Sequence, residues 1–289
     1  MTPTRRRFIG MTAAAAILSA GRAWAGAPQE WRGRALGAEV VLRAEGAAPA
    51  QARAFFRAAE RALHQVEAQF SLHRDSELTR LNRDGRLSRP SDGFAALLRL
   101  AGAVHDATGG AFDPTVQPLW LARAKGLPEP APGPGWQGVA IAADEVRLRP
   151  GMALTLNGIA QGWAADWLAQ VARRHDLPHV LIDAGEVMAI GEWQAGVADT
   201  QGRLVRRLTL TDRALATSSG RGTLVGPQGD LPHIIDPAGR RAPRDLVSVI
   251  APGAALADGL STAFCVMDRA AIDRARAAFS GVAVVTLSA

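Results

Sequence analysis

The stretch Leu246–Leu287, LVSVIAPGAALADGLSTAFCVMDRAAIDRARAAFSGVAVVTL, sets the fold class. Strand candidates at Leu246–Ile250 and Val282–Leu287 flank two predicted helices, Ala257–Met267 and Arg269–Phe279. Upstream, strands are predicted at Ala35–Leu42, Val139–Leu148, Val180–Asp183, Trp193–Ala198 and Leu204–Leu210. A helix is predicted over Ala50–Phe70, where Phe55, Ala59, Leu63, Val66 and Phe70 recur at helical spacing. Two more run over Asp92–Ala107, ended by Gly109-Gly110, and over Gly158–Arg174. Prolines and glycines make Gly126–Gly135 a loop. Strand pairs joined by short turns alternate with only a few helices. That favours an α+β fold with mixed or antiparallel sheets over a doubly wound parallel sheet.

The chain has 289 residues, of which 48% are hydrophobic and 21% charged, a globular composition with room for a sizeable core. A net charge of +6 suggests nucleic acid at first sight. Four of the arginines (Arg5, Arg6, Arg7, Arg22) lie in the first 25 residues, where there is no Asp or Glu, and without them the charge falls to +2. No basic run interleaved with aromatics follows, which argues against nucleic acid as a partner.

The N-terminus reads as a targeting segment. Arg5-Arg6-Arg7-Phe8-Ile9 precedes a short apolar stretch from Met11 to Ala20, and Ala23-Trp24-Ala25 has the form of a cleavage site. A twin arginine before an apolar residue points to the export route for folded proteins. The stretch is well short of the ~20 residues that span a bilayer. The expectation is a signal peptide over residues 1–25 and a mature domain over 26–289, in the periplasm and without a membrane span. The single cysteine, Cys265, lies in an apolar run and reads as a buried structural thiol.

Four segments place polar groups beside glycine or proline. In Gly109-Gly110-Ala111-Phe112-Asp113-Pro114 the glycines permit close backbone approach to a ligand, and the proline holds Asp113 extended. The same residues also suit a helix C-cap followed by a turn. Leu154–Trp163 runs from a strand straight into a helix, whose free N–H groups suit a phosphate; an ordinary strand-to-helix turn has the same pattern. In His233-Ile234-Ile235-Asp236-Pro237 the histidine is a candidate general base with Asp236 placed to orient it or the backbone, or one half of a structural pair. Asp258 and Thr262, four apart, share a helical face and offer hard oxygen ligands of the kind Mg²⁺ takes with substrate phosphates. Asp258 as an N-cap is the plainer reading. Arg74–Glu77 reads as a solvated face, and Trp163 with Trp167 as packing.

Together and in order, these pieces resemble the ApbE family of FAD:protein FMN transferases over nearly the whole mature chain. The matching residues are Leu36-Gly37, Phe70-Ser71, Ser76-Glu77-Leu78, Leu81-Asn82, Gly109–Trp120, Leu156–Asp166, Asp183–Glu186, Ala216-Thr217-Ser218, His233–Pro237 and Ala257–Ala263. The resemblance implies an α+β architecture related to the T-fold. It also implies Mg²⁺-dependent transfer of FMN from FAD to a Ser or Thr hydroxyl of a flavoprotein, with release of AMP. Carried over by position, Asp258, Thr262 and the Gly158 carbonyl bind metal, and Leu36, His73, Ala111, Phe112, Asp113, Thr155 and Gln161 contact FAD. His233 matches the base that activates the acceptor.

Three positions depart from the family pattern. Gln161 stands where Lys or Glu is common, Ala184-Gly185-Glu186 replaces Gly-Gly-Asp, and His73 replaces an aromatic in a chain without tyrosine. These features resemble a branch associated with nitrous-oxide reductase maturation, which implies a membrane-bound electron-transfer or regulatory flavoprotein as acceptor. Two other functions fit the same residues: a periplasmic FAD-binding or delivery protein, and an FAD pyrophosphatase that uses water as acceptor.

Overall fold

A computed structural model describes residues 15–18, 27–133, 135–239 and 242–288. Its centre is a seven-stranded sheet of β1 (Gln29–Ala35), β2 (Ala38–Ala44), β3 (Val180–Asp183), β4 (Val187–Ile190), β5 (Ala214–Ser218), β6 (Leu246–Ala251) and β7 (Ala283–Ser288). Spatial order follows chain order, and every neighbouring pair is antiparallel.

Both faces of this sheet are covered. Val180, Ile182, Met188, Ile190, Ala214, Ala216, Val247 and Val249 point to the side packed with helices. Leu181, Val187, Ala189, Leu215 and Leu246 join Trp193, Ala195, Val197 and Leu210 on the other side. That second layer is a smaller sheet in which the strand Glu192–Ala198 pairs with Ala15–Leu18 and Leu204–Thr211. Burial from both sides explains why β3 and β4 are nearly continuous apolar runs without polar alternation.

The helices are α1 (Pro49–Phe70), α2 (Glu77–Asp84), α3 (Asp92–Ala107), α4 (Gln117–Lys125), α5 (Ala160–Arg174), α6 (Ala254–Phe264) and α7 (Arg269–Ala277). The predicted apolar stripe of α1 is buried as read, and α3 has the predicted limits, with the Ser91 side chain accepting the Phe94 N–H. The α+β class with antiparallel sheets is what the chain adopts.

Several local expectations are corrected. Ala35–Leu42 is not one strand: Leu36 (φ +50°) and Gly37 (φ +82°) turn the chain back between β1 and β2, the two-residue hairpin that needs left-handed backbone at both positions. Val139–Leu148 likewise divides into the hairpin Val139–Ile141 and Glu145–Leu148. Arg74–Glu77 is more than a solvated face, since Glu77 starts α2 and its carboxylate accepts the N–H and hydroxyl of Ser91 (both 3.1 Å). Cys265 is buried, as expected, and burial pushes its thiol up to about 12. Trp163 packs edge-on to Phe70. Of the proposed signal peptide, only Ala15–Leu18 falls within the described residues. Among the described residues, no helix is long and apolar enough to cross a membrane.

Candidate active site at a helix crossing

The site begins with two helices that touch backbone to backbone. A Cβ on Gly162 of α5 would lie 2.3 Å from the Ala254 carbonyl oxygen, so only glycine allows α5 and α6 this contact. Asp166, one turn further along α5, reinforces it. Its carboxylate accepts the Ala254 and Ala255 N–H groups (2.7 and 2.9 Å) at the start of α6, where the helix dipole favours negative charge.

The crossing sets Asp258 against the start of α5. The Gly162 N–H donates to Asp258 Oδ2 (3.1 Å) instead of closing the turn onto the Gly158 carbonyl, which accepts no backbone N–H among the described residues. One turn along α6, Thr262 meets Gly158, where an added Cβ would lie 3.0 Å from Thr262 Oγ1. Gly158, Asp258 and Thr262, the predicted metal set, are therefore brought together. Asp258 is not an N-cap, because Gly253 holds that position and Asp258 lies inside the helix, 3% exposed. The expected phosphate cradle is also reduced: the N–H groups of Ile159 and Ala160 bond the Leu156 carbonyl, and that of Gly162 is held by Asp258.

Acidic groups crowd this point. Burial pushes the Asp258 carboxyl up to about 7, opposed by the Gly162 N–H and supported by the charge of Asp166. Glu186 (4% exposed) is raised well above the usual carboxylate range by burial and by Asp258, although it accepts the Thr217 N–H (3.1 Å). Asp183 is pushed up to about 6, chiefly by burial. Among the described residues, no Arg or Lys lies close enough to hold Asp258 or Glu186 ionised. The Asp258 carboxylate, the Thr262 hydroxyl and the Gly158 carbonyl are hard oxygen donors, the chemistry that a divalent cation such as Mg²⁺ takes, and a cation would offset the cost of burying the acidic groups. The described residues hold no group of three or more His, Cys, Asp or Glu arranged for a metal; this donor set relies instead on a hydroxyl and a main-chain oxygen.

Sequence reasoning noted Glu186 as a departure and quoted Asp166, Ser218 and Ser261 within the matching runs, but gave none of the four a place in the site. A signal existed for Glu186, since two carboxylates bracket Gly185 in an otherwise apolar strand pair. Gly185 (φ +93°) lies under the Gln161 side chain, whose amide oxygen would be 2.9 Å from an added Cβ.

A second group of predicted residues adjoins the first. The Thr155 N–H donates to the Pro114 carbonyl (2.8 Å), joining the segment before α5 to the Gly109–Pro114 loop. There Asp113 is extended, as predicted, and its Oδ1 accepts from the N–H and hydroxyl of Thr115 (2.8 and 2.7 Å). Phe112 is buried, and its carbonyl meets His105 Nδ1 at 2.8 Å. A cavity of 670 Å³ is lined by Gly109–Ala111, Asp236–Ala238 and Met267. Among the predicted FAD contacts, Ala111 lines it.

His233 follows a small ribbon, Leu224–Val225 paired with Leu231–Pro232, and the Trp120 indole N–H donates to its carbonyl (3.1 Å). Its Nδ1 lies 3.0 Å from the Thr223 carbonyl oxygen, not against the Asp236 side chain of the expected pair. A carbonyl only accepts, so Nδ1 carries the hydrogen and Nε2 of the neutral ring keeps its lone pair. Burial lowers the His233 pKa, favouring that neutral ring. Asp236 orients the backbone, accepting the Ala238 N–H (2.9 Å).

Leu36 and His73 stand apart from the metal set. The Leu36 N–H donates to Glu67 of α1 (2.6 Å), while His73 is exposed just beyond the end of α1. Among the described residues, no hydrogen bond joins either to Gly158, Asp258 or Thr262.

A profile of the ApbE family matches residues 36–286, nearly the whole described chain. The chain belongs to the ApbE family. The FAD:protein FMN transferase of Haemophilus influenzae is 29% identical over 245 residues, covering 72% of this chain and 71% of its own length. That of Treponema pallidum is 32% identical over 154 residues, covering 45% of this chain and 42% of its own. The crystal structure of the ApbE protein from Thermotoga maritima superposes with a TM-score of 0.77 at 26% identity, covering 91% of this chain and 96% of that one. The ApbE match spans both polar groups, from Gly109–Pro114 to Asp258 and Thr262.

Proposed function

We propose that this protein is an FMN transferase, which moves FMN from FAD to a Ser or Thr hydroxyl of a target flavoprotein and releases AMP. The observation that carries the reading is the convergence of the Gly158 carbonyl, Asp258 and Thr262 at the α5–α6 crossing, in a chain whose ApbE relatives are named FAD:protein FMN transferases. Mg²⁺ held by those three groups would offset the charge of the pyrophosphate.

The protein's own task in such a transfer is mostly to position groups. The acceptor oxygen bonds to the FMN phosphorus as the bond from that phosphorus to the bridging oxygen breaks. AMP departs with that oxygen and the electron pair, and the hydroxyl proton passes to His233 Nε2. Leu36, His73, Ala111, Phe112, Asp113, Thr155 and Gln161 contribute to holding FAD. We infer further that residues 1–25 direct twin-arginine export to the periplasm. The acceptor there is a membrane-bound electron-transfer or regulatory flavoprotein, as in the nitrous-oxide-reductase maturation branch.

The test mixes mature protein, FAD, Mg²⁺ and an acceptor domain carrying the target Thr, and follows in-gel flavin fluorescence and AMP. A fluorescent acceptor that disappears with EDTA and in Asp258→Ala supports transfer. FAD binding without label or AMP would make the protein a flavin carrier, and AMP without label would make water the acceptor.

A further inference from the structure

The side chains of Ser218, Ser261 and Thr262 form a chain of hydroxyls that ends on the main chain. Ser261 Oγ donates to the Asp258 carbonyl oxygen (3.0 Å). Ser218 Oγ lies 2.7 Å from Ser261 Oγ and 3.3 Å from Thr262 Oγ1. All three residues face the α5–α6 side: Ala216, two before Ser218, points to the helices, and Ser261 and Thr262 belong to α6.

A hydroxyl has one proton, whereas a carbonyl has none to give. The Ser261 proton is committed to the Asp258 carbonyl, so Ser261 Oγ accepts from Ser218. The Ser218 proton is then committed as well, and Ser218 Oγ accepts from Thr262. The direction of every bond follows from the last acceptor. The Thr262 proton is drawn toward Ser218, and its lone pairs are left for the Gly158 side, where the cation site lies.

We propose that Ser218 and Ser261 are positioning residues that fix the direction of the Thr262 hydroxyl and so make it a ligand for the divalent cation. This rests on the metal reading above. Without Ser261, Thr262 is the one remaining partner of the Ser218 hydroxyl among the described hydrogen bonds. That hydroxyl turns to donate there, and the Thr262 proton is displaced toward the cation, which it repels. Ser261 therefore influences metal binding from two hydrogen bonds away.

The protein supplies its own control. Thr217 Oγ1 and Ser248 Oγ form another buried hydroxyl pair (2.9 Å) on β5 and β6, beside residues that face the second sheet. Ser248 is as buried as Ser261 (both 0% exposed) but has no described hydrogen bond to Thr262. If these hydroxyls merely satisfy one another, losing Ser248 should matter as much to the metal as losing Ser261.

The experiment titrates Mn²⁺ into the mature protein with ADP present and follows free Mn²⁺ by electron paramagnetic resonance, with unfolding temperature recorded for each variant. Thr262→Ala should abolish tight binding. Ser261→Ala and Ser218→Ala should each weaken it about tenfold, the range for partners that orient a ligand. Neither should weaken it further in a Thr262→Ala background, and Ser248→Ala should bind as wild type. Should Ser261→Ala fail to fold, Ser218→Ala, one contact closer to Thr262, carries the same test. Wild-type affinity in Ser261→Ala and Ser218→Ala beside a loss in Thr262→Ala would overturn the relay while leaving the metal reading intact. Equal losses in Ser248→Ala and Ser261→Ala would also overturn it. Wild-type affinity in Thr262→Ala would remove the metal reading and the relay with it.

Discussion

The α5–α6 crossing and the ribbon before His233 hold the two halves of the proposed chemistry in opposite ways. At the crossing, glycine backbone meets backbone, Asp166 ties the start of one helix to the side of the other, and Asp258 is nearly inaccessible. The ribbon has strands of two residues, with Leu224 and Leu231 exposed on it (42% and 36%). The contrast suits the two reactants. A small nucleotide and its cation need fixed charges in a closed site, whereas a hydroxyl on another protein must be reached from outside.

That contrast is broken most directly at Gly162. Gly162→Ala sets a methyl against the Ala254 carbonyl, and overpacking of this kind costs about 3 kcal/mol when backbone has to move. A lower unfolding temperature with weaker Mg²⁺ binding is expected; an unchanged melting curve would mean that the crossing is not tight. On the ribbon the reverse should hold. His233→Ala should lower kcat by about 10²–10⁴-fold, the usual contribution of a general base, with little change in melting temperature. Because burial lowers the His233 pKa, the acid limb of the wild-type rate should lie below the ordinary histidine value and be absent from the variant. A wild-type rate in His233→Ala would assign the base elsewhere.

The acidic cluster sharpens the comparison through pH. Asp258, pushed up to about 7, keeps a proton that the unfolded chain releases near 4. Without cation, its contribution to stability is therefore complete below the unfolded value and is lost as pH rises through about 7. Mg²⁺ competes with that proton, so the rise in melting temperature on adding Mg²⁺ should be larger at about pH 8 than at about pH 5. Equal rises would mean that the ion binds elsewhere. The smallest effect is expected at Leu36, outside both regions. Leu36→Gly relieves left-handed strain of about 1 kcal/mol, raising the melting temperature by about 2 °C. If it falls instead, side-chain packing outweighs the strain.

How much of this was legible in the sequence depended on how loudly each element announces itself. The helix Asp92–Ala107 was read residue for residue, its end marked by two glycines, and the Ser91 cap at its start appears in the structure. The Leu36 turn was invisible, since leucine is not a residue that signals left-handed backbone. The strands Val187–Ile190 and Ala214–Ser218 were missed because they are short and buried on both faces, which leaves no alternation to detect. For the site, the spacing of Asp258 and Thr262 showed that they share a helical face but left an N-cap as the plainer reading, and only the family resemblance implied a metal role for them. Glu186, Ser218 and Ser261 were not legible as site residues, because they reach the site from different strands and helices that only the folded sheet brings together.

The sheet order has one more consequence, for synthesis. Strands β2 and β3 are neighbours in the sheet, yet everything from α1 to α5 lies between them in the chain. The first hairpin leaves the ribosome early with its β2 edge open, a template for pairing with the wrong chain. That edge is not closed until Val180–Asp183 has been made. A chain with so long a wait between adjacent strands folds slowly, so its earliest hairpin is where a chaperone would be most needed.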